Sequence, residues 1–288
     1  MTEPALARVG LRIPDLAAAV RLFADLLGGA PMADGVGWLD LGFPEGGILR
    51  LVESADAPAG LDHLLVEVAD LTDTARRITA AGLATTATGD GLEVVGPTAG
   101  ARTLVAPRSG VGTDARFEGG AVGVRRFDHV CLATTTIRET VALHRDLLGG
   151  AMVFGGVNPL ASTLSSQVGF GTGPKLELLQ PHDPDAPIAR FLARYGPGMH
   201  HLTFFVDDVA HAERVAREAG FETTGIDGGD QRRHWQETFL RPRTTFGLLV
   251  QLAWTDVWHD RALSDDEVAA VHDGRIDSFD YTMRPLTS

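Results

Sequence analysis

The stretch LARVGLRIPDLAAAVRLFADLLGGAP, residues 6–31, returns as FDHVCLATTTIRETVALHRDLLGGAM, residues 127–152, and the predicted fold follows from this repeat. Both copies contain the pentapeptide DLLGG, and the two copies lie 121 residues apart. A second pair of similar segments begins at Gly60 and at Gly198. Since the two pairs also resemble each other in outline, the sequence predicts four copies of one supersecondary unit.

Each unit opens with an apolar run of strand length, followed by a polar turn, an amphipathic stretch that ends in glycine, and further alternating runs. This order predicts a βαβββ unit. In the third unit, Ile137, Val141 and Leu148 recur at helical spacing, and Gly149 is a typical helix stop. The predicted fold class is therefore α+β, with four βαβββ units paired into two modules.

The linker between the modules is rich in glycine and arginine and has no helical period. The predicted organisation is a first module over 1–106, a linker over 107–126, a second module over 127–255 and a tail over 256–288. In the tail, Ser264 and Glu267 form a capping-box pattern, which predicts a short helix that ends at Gly274.

Composition narrows the function classes. The chain has 288 residues, of which 44% are hydrophobic, and a formal net charge of −13. This charge disfavours nucleic acid and acidic membranes as partners, so we expect a small-molecule substrate and allow for a homodimer. Neither a signal peptide nor a transmembrane run is evident, which favours a cytoplasmic protein. With a single cysteine, a metal would need histidine, carboxylate or amide ligands.

Four residues of the second half form a candidate metal site: His129, Glu177, His201 and Gln251. They fall on the first and last predicted strands of the third and fourth units. The separations match, with 48 residues between the first two and 50 between the last two. Imidazole, carboxylate and amide oxygen are suitable donors for divalent Fe, Mn, Co, Ni or Zn.

Each of these residues also has an ordinary structural interpretation. A histidine in an apolar strand is more often a packed core residue than a ligand. Glu177 lies among leucines, where an unpaired carboxylate is costly to bury, although an edge strand could expose it. The matched spacing across a duplication favours the metal site. Cys131 lies on the same strand face as His129 and is more often a small core residue than a neighbour of a metal.

The segments FDHVCLA, DLLGG, KLELLQP, GMHHLTFFVDDV and FLRPRTTFGLLVQL resemble the vicinal oxygen chelate superfamily, over about residues 5–106 and 127–255. This superfamily includes glyoxalase I, methylmalonyl-CoA epimerase, extradiol dioxygenases and bleomycin-resistance proteins. The resemblance implies two modules, each a strongly curved mixed sheet around a cavity with helices outside. It also implies the same four metal ligands.

The resemblance is closest to the epimerase and glyoxalase branch, which predicts a metal-dependent isomerase or lyase that stabilises an enolate-like intermediate of a small carbonyl compound or acyl thioester. In those isomerases the last ligand is usually Glu, serving also as base, whereas this chain has Gln251. An amide accepts no proton at neutral pH, so the base must lie elsewhere. Glu177 is the first candidate, and His234 and Glu237, expected in a loop before the last strand, are lesser ones.

The first half is degenerate at the equivalent positions, which are Arg8, Arg50, His63 and Leu104. Two guanidinium groups cannot coordinate a cation, so no metal is expected there. We favour a scaffold role for this half. The alternative is that Arg8 and Arg50 hold an anionic group.

Two other functions stay open. His129, His201 and Glu177 could form the two-histidine, one-carboxylate face of a non-haem Fe(II) dioxygenase of the extradiol type, although the family's dioxygenases take their carboxylate from the last strand. A metal-free small-molecule binding or resistance protein is the other alternative, and the intact quartet argues against it. The sequence does not identify the substrate.

Overall fold

The computed structural model describes residues 3–109, 117, 120–171, 173–227 and 234–279. The first sheet and its helices comprise β1 (Ala5–Ile13), α1 (Leu16–Val20), β2 (Ala30–Gly35), β3 (Trp38–Gly42), β4 (Ile48–Glu53), β5 (Gly60–Val68), α2 (Leu71–Ala80), β6 (Ala84–Thr88), β7 (Gly91–Val95) and β8 (Thr103–Pro107). The second comprises β9 (Val124–Ala133), α3 (Ile137–Ala142), β10 (Ala151–Asn158), β11 (Thr163–Gly169), β12 (Lys175–Pro181), α4 (Pro187–Tyr195), β13 (Gly198–Val206), α5 (Val209–Glu218), β14 (Trp235–Leu240) and β15 (Val250–Thr255). The tail contains α6 (Asp265–His272).

The two sheets share one topology. The first has the order β2-β3-β4-β1-β5-β8-β7-β6, and the second has the order β10-β11-β12-β9-β13-β15-β14. In each sheet an antiparallel central pair, β1 with β5 or β9 with β13, is flanked on both sides by parallel neighbours. The predicted α+β fold with paired units is therefore confirmed.

Some local features differ from the prediction. In the fourth unit, the segment before β14 makes two isolated bridges to β14, Thr223 with Leu240 and Asp227 with Glu237, in place of a third returning strand. Helix α4 has no counterpart in the predicted unit. Strand β9 begins at Val124, inside the predicted linker, of which residues 110–116, 118 and 119 lie outside the described ones.

Both helices of the DLLGG repeat end in a wider turn than an α-helix has. Helix α1 continues as a π-helical turn over Arg21–Leu26, and α3 does so over Leu143–Leu147. The tail helix α6 has Ser264 as its N-cap, and the predicted capping box with Glu267 is present. Among the described residues, no helix combines the length and apolar character that a bilayer span requires.

The two modules share a hydrophobic core. Phe43, which follows β3, packs against Phe127 of β9 and Phe204 of β13, with ring centroids 5.9 and 5.1 Å away. Phe127 and Phe204 stack on each other at 4.9 Å. All three rings are fully buried. The first module thus packs directly against the two central strands of the second.

His144 is a fully buried histidine in the π-helical turn after α3. Its Nδ1 lies 2.8 Å from the carbonyl oxygen of Thr140, whereas its buried Nε2 has no hydrogen-bond partner among the described residues. Burial lowers the pKa of His144 to about 4, against a smaller opposing effect of the Thr140 carbonyl. The residue 121 positions earlier is Phe23, which is also fully buried. The first copy of the repeat therefore shows that a buried phenylalanine is accommodated at the position of His144.

We expect His144→Phe to flatten the loss of stability at acid pH. The unfolded chain takes up a proton at His144 below about pH 6.5, but the folded chain does so only near pH 4, so stability is present above pH 6.5 and falls as the pH drops. Relative to the variant, the wild type should lose about 2 kcal/mol more unfolding free energy between pH 7.5 and pH 5. Urea unfolding at both pH values measures this difference. Parallel losses in the two proteins would contradict it.

Candidate metal centre

The four predicted ligands lie on the four adjacent central strands of the second sheet. In the register of these strands, the ligands fall in two rows across the sheet, and each row contains two ligands and one other residue. The rows are Glu177–Cys131–His201 and His129–Thr203–Gln251. The first row runs over β12, β9 and β13, and the second runs over β15, β13 and β9. The two rows are therefore related by a twofold rotation that exchanges β9 with β13 and β12 with β15. The duplication in the sequence is thus an approximate twofold symmetry of the site.

The donor atoms converge on one carboxylate. The Nε2 of His129 lies 3.3 Å from Oε2 of Glu177, and the Nε2 of His201 lies 3.6 Å from the same oxygen. The Thr203 hydroxyl lies 2.7 Å from Nε2 of His129 and donates to Oε1 of Gln251 at 2.5 Å. The structure therefore brings all four predicted residues together. Their role as metal ligands stays a prediction.

Burial and neighbouring charges shift the pKa values of the two histidines and of Glu177. Burial lowers the pKa of His129, but the carboxylates of Glu177 and Asp128 raise it above its ordinary value. Burial raises the pKa of Glu177, but the two histidines lower it below its ordinary value. Burial and the neighbouring His200 hold the pKa of His201 well below its usual range. Positive charge is therefore favourable beside Glu177.

Contacts behind the histidines orient both rings. Nδ1 of His129 lies 2.8 Å from the Asp128 carboxylate, and Nδ1 of His201 lies 2.8 Å from Nδ1 of His200. In both rings Nε2 then faces the centre, which is the arrangement that metal-binding histidines commonly have. Sequence reasoning missed Asp128, His200 and Thr203. The signal was available, because Asp128 and His200 directly precede the two ligands and Thr203 lies two residues beyond His201 on the same strand face.

The donor set fits a borderline divalent cation. The ligand atoms of His129, Glu177 and His201 all lie within 4.8 Å of one another, and the two histidine side chains are almost completely buried. Cys131, His200 and His201 form a second group within the same distance. Because Cys131 is fully buried and burial raises the pKa of its thiol, a thiolate is disfavoured there. The histidine and carboxylate group is therefore the better match.

A cavity of about 250 Å³ opens beside the four residues. Strands of the second sheet form most of its wall, and the tail contributes Val257, Trp258, His259, Ser278 and Phe279. The tail, whose role the sequence left open, thus forms one side of the cavity.

Glu237 lies on strand β14, so its predicted position in a loop is wrong. Its side chain lines the cavity, and its Oε2 accepts hydrogen bonds from Nε2 of Gln251 and, at 2.7 Å, from Nε1 of Trp235. His234 has no place in the cavity wall. It is 45% exposed and pairs with Asp256 at 2.7 Å. Of the two lesser candidates for the base, Glu237 lines the cavity and His234 does not.

The equivalent site of the first module contains an ion-pair cluster. Arg50 lies opposite Gly10 in the first sheet, just as Glu177 lies opposite Cys131 in the second. Arg50 donates two hydrogen bonds to the Asp40 carboxylate, both at 2.6 Å. Arg8 lies 3.6 Å from the same carboxylate. Asp40 is 4% exposed and supplies the anion that these guanidinium groups need. This internal pairing favours the scaffold interpretation.

Comparison with known proteins identifies relatives of the chain. Residues 128–239 match the family model of the glyoxalase/bleomycin resistance protein/dioxygenase superfamily. The ethylmalonyl-CoA/methylmalonyl-CoA epimerase of Cereibacter sphaeroides is 31% identical over 133 residues, which are 45% of this chain and 97% of that protein. The mitochondrial methylmalonyl-CoA epimerase of Dictyostelium discoideum is 28% identical over 134 residues, which are 46% of this chain and 80% of that protein.

One solved structure matches nearly the whole chain. A mutant of 4-hydroxymandelate synthase from Streptomyces coelicolor superposes with a TM-score of 0.65 over 95% of this chain and 98% of that chain, at 18% identity. At this identity the likeness is one of fold, and it extends over both modules. The resemblance inferred from the sequence is confirmed, and the chain belongs to the glyoxalase/bleomycin resistance protein/dioxygenase superfamily.

Proposed function

We propose that this protein is a metal-dependent enzyme that moves a proton at a carbon next to a carbonyl group, as an isomerase or lyase does. One observation carries the proposal. The donor atoms of His129, Glu177 and His201 converge beside a cavity whose wall holds a second carboxylate, Glu237, hydrogen-bonded to the fourth predicted ligand, Gln251.

His129, Glu177, His201 and Gln251 would hold the metal, and as a Lewis acid it would supply stabilisation of negative charge on a carbonyl oxygen. Asp128 and His200 fix the two imidazole rings through their Nδ1 atoms. Because the amide nitrogen of Gln251 donates to Glu237, its Oε1 accepts from the Thr203 hydroxyl, which also contacts Nε2 of His129. The protein thus fixes the orientation of each donor before a substrate arrives.

Glu237 is the better placed base. One oxygen of Glu177 faces both histidines and the other accepts from Gln167 at 3.3 Å, so this carboxylate is already engaged in the site. Glu237 lies on β14, next to the strand of Gln251, and two N–H donors orient its carboxylate on the cavity wall. It would accept the substrate proton and return it. The carboxylate that the last ligand position lacks would thus come from the neighbouring strand.

The relatives support this reaction class. Two of them are named as methylmalonyl-CoA epimerases, and epimerisation at a carbon next to a carbonyl group removes and returns one proton. For this chain, a proton transfer between a wall carboxylate and such a carbon is the corresponding chemistry.

A second candidate function has its own support. His129, His201 and Glu177 supply two imidazoles and one carboxylate, a set that also suits Fe(II) in oxygenases. Oxygen consumption distinguishes the two functions. Proton transfer predicts exchange of a substrate proton with deuterated solvent under anaerobic conditions, whereas a dioxygenase with Fe(II) consumes oxygen and modifies its substrate.

We expect full-length protein loaded with Co(II) or Mn(II) to retain about one ion per chain after desalting, as measured by elemental analysis. Glu177→Ala and His201→Ala should each lower the retained metal at least about tenfold, because each removes a donor from a buried site. His234→Ala is the matched control, since this exposed histidine lies outside the cavity. Equal metal content in all four proteins would contradict the ligand assignment.

We expect Glu237→Gln to keep its metal but to lower solvent deuterium exchange by about 10²- to 10⁴-fold, the usual contribution of a general base. Methylmalonyl-CoA and phenylpyruvate serve as probes, with exchange followed by NMR above the uncatalysed rate. Glu218→Gln, an exposed substitution on α5, is the control. Exchange that survives in the Glu237 variant and disappears in Glu177→Gln with its metal retained would assign the base to Glu177 instead.

A further inference from the structure

Lys175 is the only lysine in a chain of 288 residues, and the other 24 basic residues are arginines. It begins strand β12, lies opposite His129 in the parallel pair with β9, and precedes Glu177 by two residues. Its side chain therefore points to the same face as the candidate ligand. The residue is 5% exposed and lines the cavity. A single buried ammonium group thus lies beside the candidate metal centre.

The ammonium group is only partly satisfied by the protein. Its Nζ donates to Oδ1 of Asp128 at 3.1 Å, and this is its one acceptor among the described residues. A lysine ammonium has three protons, and a buried donor without an acceptor is unfavourable. Asp128 already has two other cationic or hydrogen-bonding neighbours, because Arg126 lies 3.3 Å from the same oxygen and His129 contacts the other. Asp128 therefore shares its carboxylate among three partners and offers Nζ of Lys175 a single acceptor atom.

Aromatic rings form a large part of the cavity wall. Six aromatic side chains line it, including two of the four tryptophans of the chain: Phe154, Phe205, Trp235, Phe239, Trp258 and Phe279. Phe205 meets the rings of Trp235 and Trp258 edge to face, at 5.7 and 5.4 Å. Two of the six rings belong to the tail. Flat apolar groups pack well against such a wall, because ring faces and edges offer large contact areas.

We propose that Lys175 is an anion-binding residue of this cavity, and that the substrate is a compact carbonyl compound that carries a carboxylate and a flat aromatic body. The carboxylate takes the remaining Nζ donors, and the body packs against the aromatic wall. The carbonyl part of this assignment rests on the proposed function, whereas the carboxylate and the aromatic body rest on the cavity alone. In a protein with a net charge of −13, an acidic ligand needs such a local cation.

The single lysine makes the test direct. Protein grown with lysine labelled with ¹³C at Cε gives one lysine side-chain NMR signal, that of Lys175. The probes are phenylacetate, its neutral analogue phenylacetamide, and acetate, titrated into full-length protein both as purified and after EDTA treatment. Tryptophan fluorescence reports occupancy, because Trp235 and Trp258 line the cavity.

We expect phenylacetate to shift the Lys175 signal and to bind at least about tenfold more tightly than phenylacetamide, since a hydrogen bond between charged groups is roughly twice as strong as a neutral one. Lys175→Met should abolish this preference and change phenylacetamide binding less than about twofold, and Lys175→Arg should restore part of it. Arg243→Met is the control, because it removes the same charge from a side chain that is 82% exposed.

Three results would overturn the proposal. Equal affinity of wild type for phenylacetate and phenylacetamide would show that the cavity has no anion site. Equal weakening of both probes by Lys175→Met would make Lys175 a structural counter-ion of Asp128. Acetate binding as tightly as phenylacetate would exclude the aromatic part. If Lys175→Met does not fold, the wild-type signal and Lys175→Arg still decide the matter. Because the preference is measured without metal, its failure is separate from failure of the metal site.

Discussion

The antiparallel pairing of β9 with β13 sets the positions of the candidate ligands and of the contact between the two modules. Its register sets His129 beside Thr203 and Cys131 beside His201, and the parallel strands on either side then bring Glu177 and Gln251 to the same rows. The two central strands are also the ones whose phenylalanines, Phe127 and Phe204, pack against Phe43 of the first module. A shift of this register by one residue would turn the candidate ligands to the other face of the sheet.

The two modules have the same backbone arrangement but balance the charges at equivalent positions in different ways. In the second module, Glu177 lies opposite Gln167 across β11 and β12, and its charge is balanced by histidines. In the first, Arg50 lies opposite Asp40 at the equivalent place and forms an ion pair with it. The carboxylate of Asp40 compensates the two partly buried guanidinium groups there.

The cavity combines contributions from distant parts of the chain. Strand β12 provides Glu177 and Lys175, β14 provides Glu237, and the tail adds Trp258 and Phe279 to the wall. The proposed reaction needs a cation site, a base and a surface that holds the substrate, and these three parts come from separate elements. The same cavity therefore relates the proposed proton transfer to the proposed class of acidic, aromatic substrates.

The sequence predicts the duplicated α+β fold, the division into two modules and the four residues of the candidate site, because spacing along a repeat is preserved in the chain. It also predicts that the first module binds no metal, since a guanidinium group cannot coordinate a cation. Three features depend on the tertiary structure: Glu237 contacts Gln251, His234 lies outside the cavity, and the tail forms part of the cavity wall. These contacts join residues through sheet pairing and chain packing, which leave no periodic signal in the sequence. The sequence shows that Lys175 is the single lysine, but its burial beside Asp128 is visible only in the structure.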